Sequence, residues 1–392
     1  MSQKSLSTYM NIEDFTYKKP NYNKSFMIFS VICVFLVIFM ILILVYLVKS
    51  NNVYFNIFSK NTPVILISFG GWRHDYLTES KEKLGSESFP NLDKFVNEGS
   101  TIRRIKNVFP TQCLPNHQSM ITGLYPESHG IISDKIYLTK QSKFLDSENQ
   151  TSLDFDDWIK TQDETDLNKL PIWVEAQKKN LKVGTLLWPL TDHRVDDEQP
   201  FQTVTQFGIL NGDNGMSIRK RFDILTNWLT SEDYKLDLVL AYFDQLTQIG
   251  YEYGPNSNKI VEEIKYIDNE LGIFLDRIKE KDLDLNIIIT SDHGMIETHE
   301  ENTIDLKKCI HLNSLIFSIE NTVAFAYINP GFDLDVTYRK LRFCHKNLKA
   351  FKLEEMPHSE NFNERNERMP DIVLMPDHGW TLCSEICKRK GE

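Results

Sequence analysis

Four apolar runs, separated by stretches with helical periodicity, constrain the fold of this chain more than any other feature. The runs are VILISF, KVGTLLW, DLVLAYF and NIIIT, which begin at positions 64, 182, 237 and 286. The helical patterns between them include 92–98, 173–179 and the long amphipathic stretch 258–281. Strands that are apolar on both faces and alternate with helices are typical of a parallel sheet covered on both sides. The sequence therefore predicts an α/β fold with a mostly parallel central sheet, whose site lies at the carboxyl ends of the strands.

A 23-residue uncharged run at 26–48 predicts that the chain is anchored in a membrane. About 20 apolar residues cross the hydrocarbon core, and the run is too long for a cleaved signal peptide, with no small-residue cleavage site behind it. Three lysines lie between 18 and 24, against two at 49 and 60, which favours a cytoplasmic N-terminus. We therefore expect a single-pass membrane protein with these parts: a cytoplasmic tail at 1–25, an anchor at 26–48, a stalk at 49–62 and a lumenal or extracellular domain at 63–392.

The number of cysteines bears on the cellular compartment of the chain, and its net charge bears on its binding partners. Beyond Cys33 in the anchor there are five cysteines, an odd number that leaves at least one thiol unpaired, or one intermolecular bridge, in an oxidising compartment. Asn149 begins the sequon NQT in a polar segment, which predicts a glycosylation site on the lumenal side. The net charge of −11 argues against nucleic acid as a partner, because no basic stripe is present to replace its counterions.

The segment 109–131 carries the most distinctive motif and reads FPTQCLPNHQSMITGLYPESHGI. Two prolines bracket a short loop, and a helix is predicted over 116–122. Proline is tolerated where a helix begins, because the first turn makes no use of the missing N–H. Cys113 is therefore expected at or just before a helix N-terminus, where free N–H groups and the helix dipole favour an anion. From these residues alone, an ordinary surface loop leading into a helix remains the alternative.

This segment closely resembles the active-site motif of the nucleotide pyrophosphatase/phosphodiesterase family, in the alkaline phosphatase superfamily, which reads FPTKTFPNHxxxxTGLYPESHGI. The resemblance covers about 63–380, and SDHGM at 291–295 matches the family without change. It implies an alkaline phosphatase-like fold and hydrolysis of phosphodiesters with a pair of zinc ions. It assigns the position of the nucleophilic threonine to Cys113, and to Asn116 a hydrogen bond to a phosphoryl oxygen.

The resemblance also locates the metal ligands, and most of them are changed. Asp292 and His293 match two ligands of the family. Three positions where the family has a metal-binding Asp or His carry residues that are not ordinary zinc ligands: Gly70, Thr247 and Tyr251. The last ligand is a His in a GxHGxDN segment, and the chain ends at Glu392 before such a segment occurs. His378 lies nearby in sequence, and we expect it to be a turn residue.

These changes predict at most one weakly bound zinc ion, or none at all. A thiolate at a helix N-terminus has a lowered pKa and is both a nucleophile and a zinc ligand. Residual phosphodiester hydrolysis through Cys113 is therefore an alternative. The resemblance assigns substrate contacts to Leu114 and Tyr253. Leu114 stands where many members have a phenylalanine that stacks on the base, which weakens the expectation of nucleotide affinity.

Three functional hypotheses follow. The first is a membrane-anchored phosphodiesterase-like protein with impaired metal-dependent hydrolysis, which acts by binding a nucleotide, a phospholipid head group or another protein. The second is a residually active phosphodiesterase that hydrolyses nucleotide or lipid phosphodiesters through one metal ion or Cys113. The third is a decaying copy, truncated at its C-terminus, in which missing strands leave a sheet edge exposed.

Overall fold

The computed structural model describes residues 62–146, 170–192, 194–205, 215–320 and 323–384, together with 33, 36–40 and 42–43. The chain divides after Asn61 into two units. The few described residues of the first unit are helical. Within the described ranges, no helix has the length and apolar character needed to span a bilayer. The predicted tail and stalk, most of the predicted anchor and Asn149 lie outside these ranges.

A parallel sheet forms the centre of the second unit, as the apolar runs predict. Its strands in chain order are β1 (Val64–Phe69), β4 (Val183–Leu186), β5 (Gln202–Val204), β6 (Leu238–Phe243) and β7 (Asn286–Thr290). Their order across the sheet is β5-β4-β6-β1-β7, and all pairings are parallel. The carboxyl ends of β6, β1 and β7 therefore lie side by side at one edge.

Helices cover both faces of this sheet because its strands alternate apolar side chains between two cores. The helices in the described residues are α1 (Tyr76–Leu84), α2 (Pro90–Glu98), α3 (Cys113–Thr122), α4 (Pro126–His129), α5 (Ile172–Lys178), α6 (Ile218–Thr230), α7 (Gln245–Tyr253), α8 (Asn258–Glu280) and α9 (Leu334–Arg342). Ile65 and Ile67 belong to a core shared with α6 and α8, whereas Leu66 and Leu240 pack on the opposite face with Trp173 of α5.

The helix that follows the Pro-bracketed loop begins earlier than predicted. We expected helix over 116–122, but α3 starts at Cys113 and includes Pro115. Pro115 is the third helical residue, where the backbone N–H has no intrahelical acceptor, so the ring costs no hydrogen bond. Cys113 is thus the first residue of α3.

A second, antiparallel sheet was not predicted from the sequence. It has the order β11-β12-β10-β9 and comprises β9 (Leu315–Glu320), β10 (Val323–Ile328), β11 (Leu348–Lys352) and β12 (Ile372–Pro376). Two smaller pairs complete the described strands: β2 (Lys135–Leu138) with β3 (Lys143–Asp146), and β8 (Thr303–Asp305) with β13 (Thr381–Cys383). His378 lies exposed in a turn between β12 and β13, as expected.

A buried carboxylate on α8 fixes the N-terminus of α2 against the long helix. Asp268 is fully buried, and its two oxygens accept hydrogen bonds from the backbone N–H of Leu92 at 2.7 Å and from Asn91 Nδ2 at 3.1 Å. The bond to Leu92 satisfies one of the donors that a helix leaves unpaired at its start.

We expect Asp268→Ala to lower the free energy of unfolding by about 2–4 kcal/mol, because it removes a helix cap and leaves buried donors unpaired. The measurement is urea unfolding of the purified chain. Asp276→Ala is the matched control, since Asp276 is exposed on the same helix and such changes stay within about 0.5 kcal/mol. Equal effects of the two substitutions would contradict this role of Asp268.

Candidate functional site

The candidate site lies where the loops after β1 and β7 meet at the carboxyl edge of the parallel sheet. The backbone N–H of Gly71 donates to Asp292 Oδ1 at 3.1 Å, and that of Trp72 donates to Ser291 Oγ at 3.1 Å. These bonds join residues more than 200 positions apart in sequence. The predicted site residues after the two strands are therefore held together, at the edge where parallel sheets form their sites.

Cys113, His117 and Asp292 form a compact cluster at this edge. Cys113 Sγ lies 3.4 Å from His117 Nδ1 and 3.6 Å from the hydroxyl of Tyr242, and His117 Nδ1 lies 3.7 Å from Asp292 Oδ2. The thiol, imidazole and carboxylate atoms all lie within 4.8 Å of one another. The sequence analysis missed His117, although it follows Cys113 by four positions, a spacing that places both side chains on one face of α3.

His117 is held as a neutral ring with both nitrogens engaged. Nδ1 lies 2.8 Å from the carbonyl oxygen of Cys113, which only accepts, so Nδ1 carries the hydrogen. Nε2 lies 3.1 Å from Ser68 Oγ and accepts from that hydroxyl. Burial lowers the pKa of His117, and the nearby carboxylate of Asp292 opposes this only in part. His117 therefore braces α3 against β1 and has no free lone pair to offer a metal ion.

The Cys113 thiol is held in its protonated form, contrary to the expectation from its place at a helix N-terminus. Burial raises its pKa well above the ordinary value, and the carboxylates of Asp292 and Asp134 raise it further. The helix dipole favours a thiolate only where the first N–H groups can face it. At this helix those groups face a carboxylate instead, so the nucleophilic form of Cys113 is scarce at neutral pH.

Asp134 supplies that carboxylate, and the sequence analysis did not identify it. Its Oδ1 accepts from the backbone N–H of Leu114 at 2.7 Å, and the nearby N–H of Cys113 also favours the charged carboxylate. Gln112 Oε1 accepts from the backbone N–H of Asp134 at 3.0 Å and fixes its position. Burial raises the pKa of Asp134 to about 6, although the hydrogen bonds from α3 oppose the rise.

Asp292 and His293 converge as two metal ligands would. Asp292 Oδ1 accepts from Gly71 N and from His293 N at 2.7 Å, whereas its buried Oδ2 has no hydrogen-bond partner within the described residues. His293 Nδ1 lies 2.8 Å from the carbonyl oxygen of Gly294, so Nε2 keeps its lone pair and lies 3.5 Å from Asp292 Oδ2. The orphaned Oδ2 and this lone pair fit one zinc ion, with the Cys113 thiol close by.

The three positions with replaced ligands offer nothing comparable. A Cβ atom at Gly70 would lie 2.6 Å from the Tyr242 hydroxyl and 2.7 Å from Thr247 Oγ1, so the space for a side chain is already filled. The resemblance assigns Gly70 to the ion of Asp292 and His293 and Thr247 to the other ion, and here the two positions adjoin. Tyr251 is 71% exposed on α7. The residues at these positions do not fit a second ion, since neither a glycine nor a phenol or hydroxyl is an ordinary zinc ligand.

The remaining predicted site residues have other surroundings. Asn116 Nδ2 donates to the carbonyl oxygens of Pro110 at 3.0 Å and Gln112 at 2.8 Å, so both amide hydrogens brace the loop. Its predicted bond to a phosphoryl oxygen stays a prediction. Leu114 is 6% exposed in an apolar cluster that includes Phe109 and Val373, and Tyr253 is 52% exposed at the end of α7. Their predicted contacts with a substrate likewise stay predictions.

Comparison with known proteins identifies the family. The model of the type I phosphodiesterase / nucleotide pyrophosphatase family matches residues 64–391. The chain belongs to this family. The match includes every residue of the site described above, so the zinc-dependent chemistry of the family is the reference against which the replaced ligands are judged.

Curated relatives and solved structures agree with this assignment. The chain is 31% identical to the bis(5′-adenosyl)-triphosphatase of Xenopus laevis over 328 residues, which cover 83% of this chain and 67% of that protein. It is 30% identical to the human bis(5′-adenosyl)-triphosphatase, with coverages of 81% and 66%. It thus spans about two thirds of the length of these relatives.

The murine ectonucleotide pyrophosphatase/phosphodiesterase 5, solved as an inactive variant in complex with AMP, superposes with a TM-score of 0.71 at 26% identity, covering 84% of this chain and 82% of that one. The human protein of the same name matches with a TM-score of 0.71 at 28% identity, covering 82% and 80%. These likenesses support the α/β fold with its mostly parallel central sheet.

His129, in the motif ESHGI, ties the end of the motif to α3 as a neutral ring. The backbone N–H of Ile131 donates to His129 Nδ1 at 3.1 Å, so Nε2 carries the hydrogen and lies 3.0 Å from Ser119 Oγ. Burial lowers the pKa of His129 from 6.5 to about 3. Below about pH 6.5 the unfolded chain therefore binds a proton that the folded chain refuses, and stability falls as the pH falls towards about 3.

We expect His129→Gln to flatten this acid dependence, since the amide does not titrate. The measurement is the free energy of urea unfolding at neutral pH and at about pH 5, where the folded ring still excludes the proton. His378→Gln is the control, because His378 lies exposed in a turn and should leave the slope as in the wild type. An unchanged slope in His129→Gln would contradict the assignment.

We expect Gly70→Ala to lower the free energy of unfolding by about 1–3 kcal/mol, because Cβ would overlap the hydroxyls of Tyr242 and Thr247. The same substitution in a Tyr242→Phe/Thr247→Ala background should cost less, which a double-mutant cycle measures. Gly294→Ala is the control at the same sheet edge, since its Cβ would meet Arg73 Cγ only at 3.5 Å. An equal cost in both backgrounds would show that these hydroxyls do not fill the space.

Proposed function

We propose that this chain is a hydrolysis-deficient member of the type I phosphodiesterase / nucleotide pyrophosphatase family that acts by binding. The observation that carries the proposal is the filled space at Gly70, where Tyr242 and Thr247 occupy the volume that a metal-binding side chain needs. Hydrolysis by an ion pair needs ligands for two cations about 4 Å apart. Here Asp292 and His293 supply ligands for one.

The state of Cys113 gives the proposal independent support. An acidic thiol could replace the metal-activated hydroxyl of the family as nucleophile. Burial and two carboxylates instead raise the pKa of this thiol well above its ordinary value. The neighbouring His117 cannot take the proton, because its Nδ1 carries a hydrogen and its Nε2 accepts from Ser68. The site therefore lacks both the ligands for hydrolysis by two metal ions and an ionised thiol for nucleophilic attack.

The ligand class is proposed from the relatives. The murine protein with a TM-score of 0.71 binds AMP as an inactive variant, so the shared fold can hold a nucleotide without turning it over. Curated relatives at 30–31% identity are named for hydrolysis of bis(5′-adenosyl) triphosphate. A nucleotide is accordingly the first ligand to test, and a phospholipid head group or a partner protein follows.

A residual single-metal phosphodiesterase is the second candidate function. It is favoured by the orphaned Asp292 Oδ2, with His293 Nε2 at 3.5 Å and the Cys113 sulfur within 4.8 Å. A zinc ion held by these groups would supply Lewis-acid chemistry and would promote loss of the thiol proton. The chain's own contribution would be to hold Asp292 through Gly71 N and His293 N.

We also propose that residues 26–48 anchor the chain, with the family domain on the lumenal or extracellular side. The uncharged run is long enough to cross a bilayer. The disulfide between Cys309 and Cys344, whose Cα atoms lie 5.1 Å apart, supports an oxidising compartment. Glycosidase digestion of the protein expressed through the secretory pathway tests this orientation. We expect a loss of mass in the wild type and none in Asn149→Gln. No loss of mass in the wild type would count against the orientation.

The test of the main proposal is the zinc content and turnover of the full chain, purified in detergent from eukaryotic cells. We expect at most one zinc per chain by elemental analysis, because ligands for a second ion are lacking, and no release of nitrophenol from bis(4-nitrophenyl) phosphate. Asp292→Asn is the control for background zinc, and Cys113→Ala for thiol chemistry.

Two outcomes would contradict the proposal in different ways. Two tightly held zinc ions with turnover that a chelator abolishes would establish an ordinary hydrolase of the family. Turnover with one zinc or none that disappears in Cys113→Ala would establish the second candidate.

A further inference from the structure

The N-terminus of α3, beside the nucleophile position, is occupied by a carboxylate of the chain itself. Gln112 precedes the helix and makes no capping bond through its side chain. Asp134, 20 positions further along the chain, instead accepts from Leu114 N at 2.7 Å. An anion at a helix N-terminus is stabilised by these N–H groups and by the dipole. The chain's own anion has taken that place.

Two unsatisfied buried groups set this carboxylate apart from a simple structural cap. Gln112 Nε2, on a residue that is 7% exposed, and Asp292 Oδ2, on a fully buried residue, have no hydrogen-bond partner within the described residues. The first belongs to the side chain that holds Asp134, and the second lies within 4.8 Å of Cys113 Sγ. Buried polar atoms without partners mark places where a ligand or ion completes the bonding.

A purely structural cap in the same protein gives a useful contrast. Asp268 also accepts a backbone N–H from the first turn of a distant helix, that of Leu92, but it is fully buried where α2 meets α8. Asp134 is half-buried and lies beside Cys113, where a ligand would approach. A carboxylate at a helix N-terminus therefore stabilises the fold at α2, whereas at α3 it lies beside Cys113 in the candidate site.

We propose that Asp134 determines the charge of the ligand that this site accepts, because its carboxylate stands where an anionic phosphoryl group would bind. A phosphoryl group would have to displace the carboxylate from α3 and then lie beside two negative side chains, Asp134 and Asp292. Like charges at such separations repel strongly in a partly buried site. The imidazole of His293 lies nearby and could offset them in part.

This inference rests on the proposed binding function. It predicts that a nucleotide or a phospholipid, if either is the ligand, does not place its phosphoryl group at the N-terminus of α3. At the N-terminus of α3 the wild-type chain rejects a free phosphate or a nucleoside monophosphate. Its own ligand presents an uncharged or cationic group there. Removing the charge while keeping a hydrogen-bond acceptor should convert the site into one that binds phosphoryl anions.

The experiment compares binding of AMP and of inorganic phosphate to the full chain in detergent by isothermal titration calorimetry. We expect Asp134→Asn to bind both probes at least tenfold more tightly than the wild type, because the amide oxygen can still accept from Leu114 while the charge is lost. Asp237→Asn is the matched control. Asp237 Oδ2 accepts from Lys182 N at 2.9 Å beside the opposite edge of the same sheet, so its loss of charge should leave affinity unchanged.

Equal affinities of the wild type and Asp134→Asn for both probes would overturn the proposal, as would an equal gain in Asp237→Asn. Asp134→Ser, which keeps a short acceptor without charge, is the second variant and should gain affinity as well. If neither neutral variant folds by thermal melting, the carboxylate is a structural requirement and the proposal fails. The zinc and turnover assays on the wild type are separate, so a failure of the proposed hydrolytic deficiency is distinguishable from a failure here.

Discussion

The bond that joins the loops after β1 and β7 is the constraint on which the rest of the site depends. Asp292 Oδ1 receives two backbone N–H groups, from Gly71 and from His293, and this fixes both loops at the carboxyl edge of the sheet. Because the oxygen is fully engaged, the second oxygen of the same carboxylate is turned toward Cys113 and His293. The position of the thiol, the imidazole and the remaining metal ligands follows from this one side chain.

Burial and neighbouring carboxylates, rather than helix geometry, decide the chemistry of Cys113. Its place as the first residue of α3 suggested an activated thiolate, since dipole and N–H groups point toward it. The structure turns those N–H groups to Asp134 and adds Asp292 on the other side, so burial and two carboxylates act together against ionisation. A helix terminus is an anion site only while nothing within the chain has already filled it.

The sequence predicted what depends on local pattern. The apolar runs predicted the parallel strands, and the unchanged SDHGM predicted that Asp292 and His293 lie together. Asp134 escaped prediction because its role depends on a contact across 20 positions, for which no spacing rule exists. The antiparallel sheet escaped it because strand 372–376 pairs with strand 323–328, more than 40 positions away, and a short apolar run does not predict such a distant partner. His117 could have been found from its helical spacing to Cys113, had α3 been extended through Pro115.

The crowding around Gly70 has a consequence for how this chain could change. A carboxylate at that position would be admitted only once the hydroxyls of both Thr247 and Tyr242 had moved aside. Thr247 itself stands at a position that the resemblance assigns to the other ion. Restoring a ligand at Gly70 therefore requires an accommodating change at a position of the neighbouring ion. Steric overlap adds to the shortage of donors and makes the present state of the site harder to reverse.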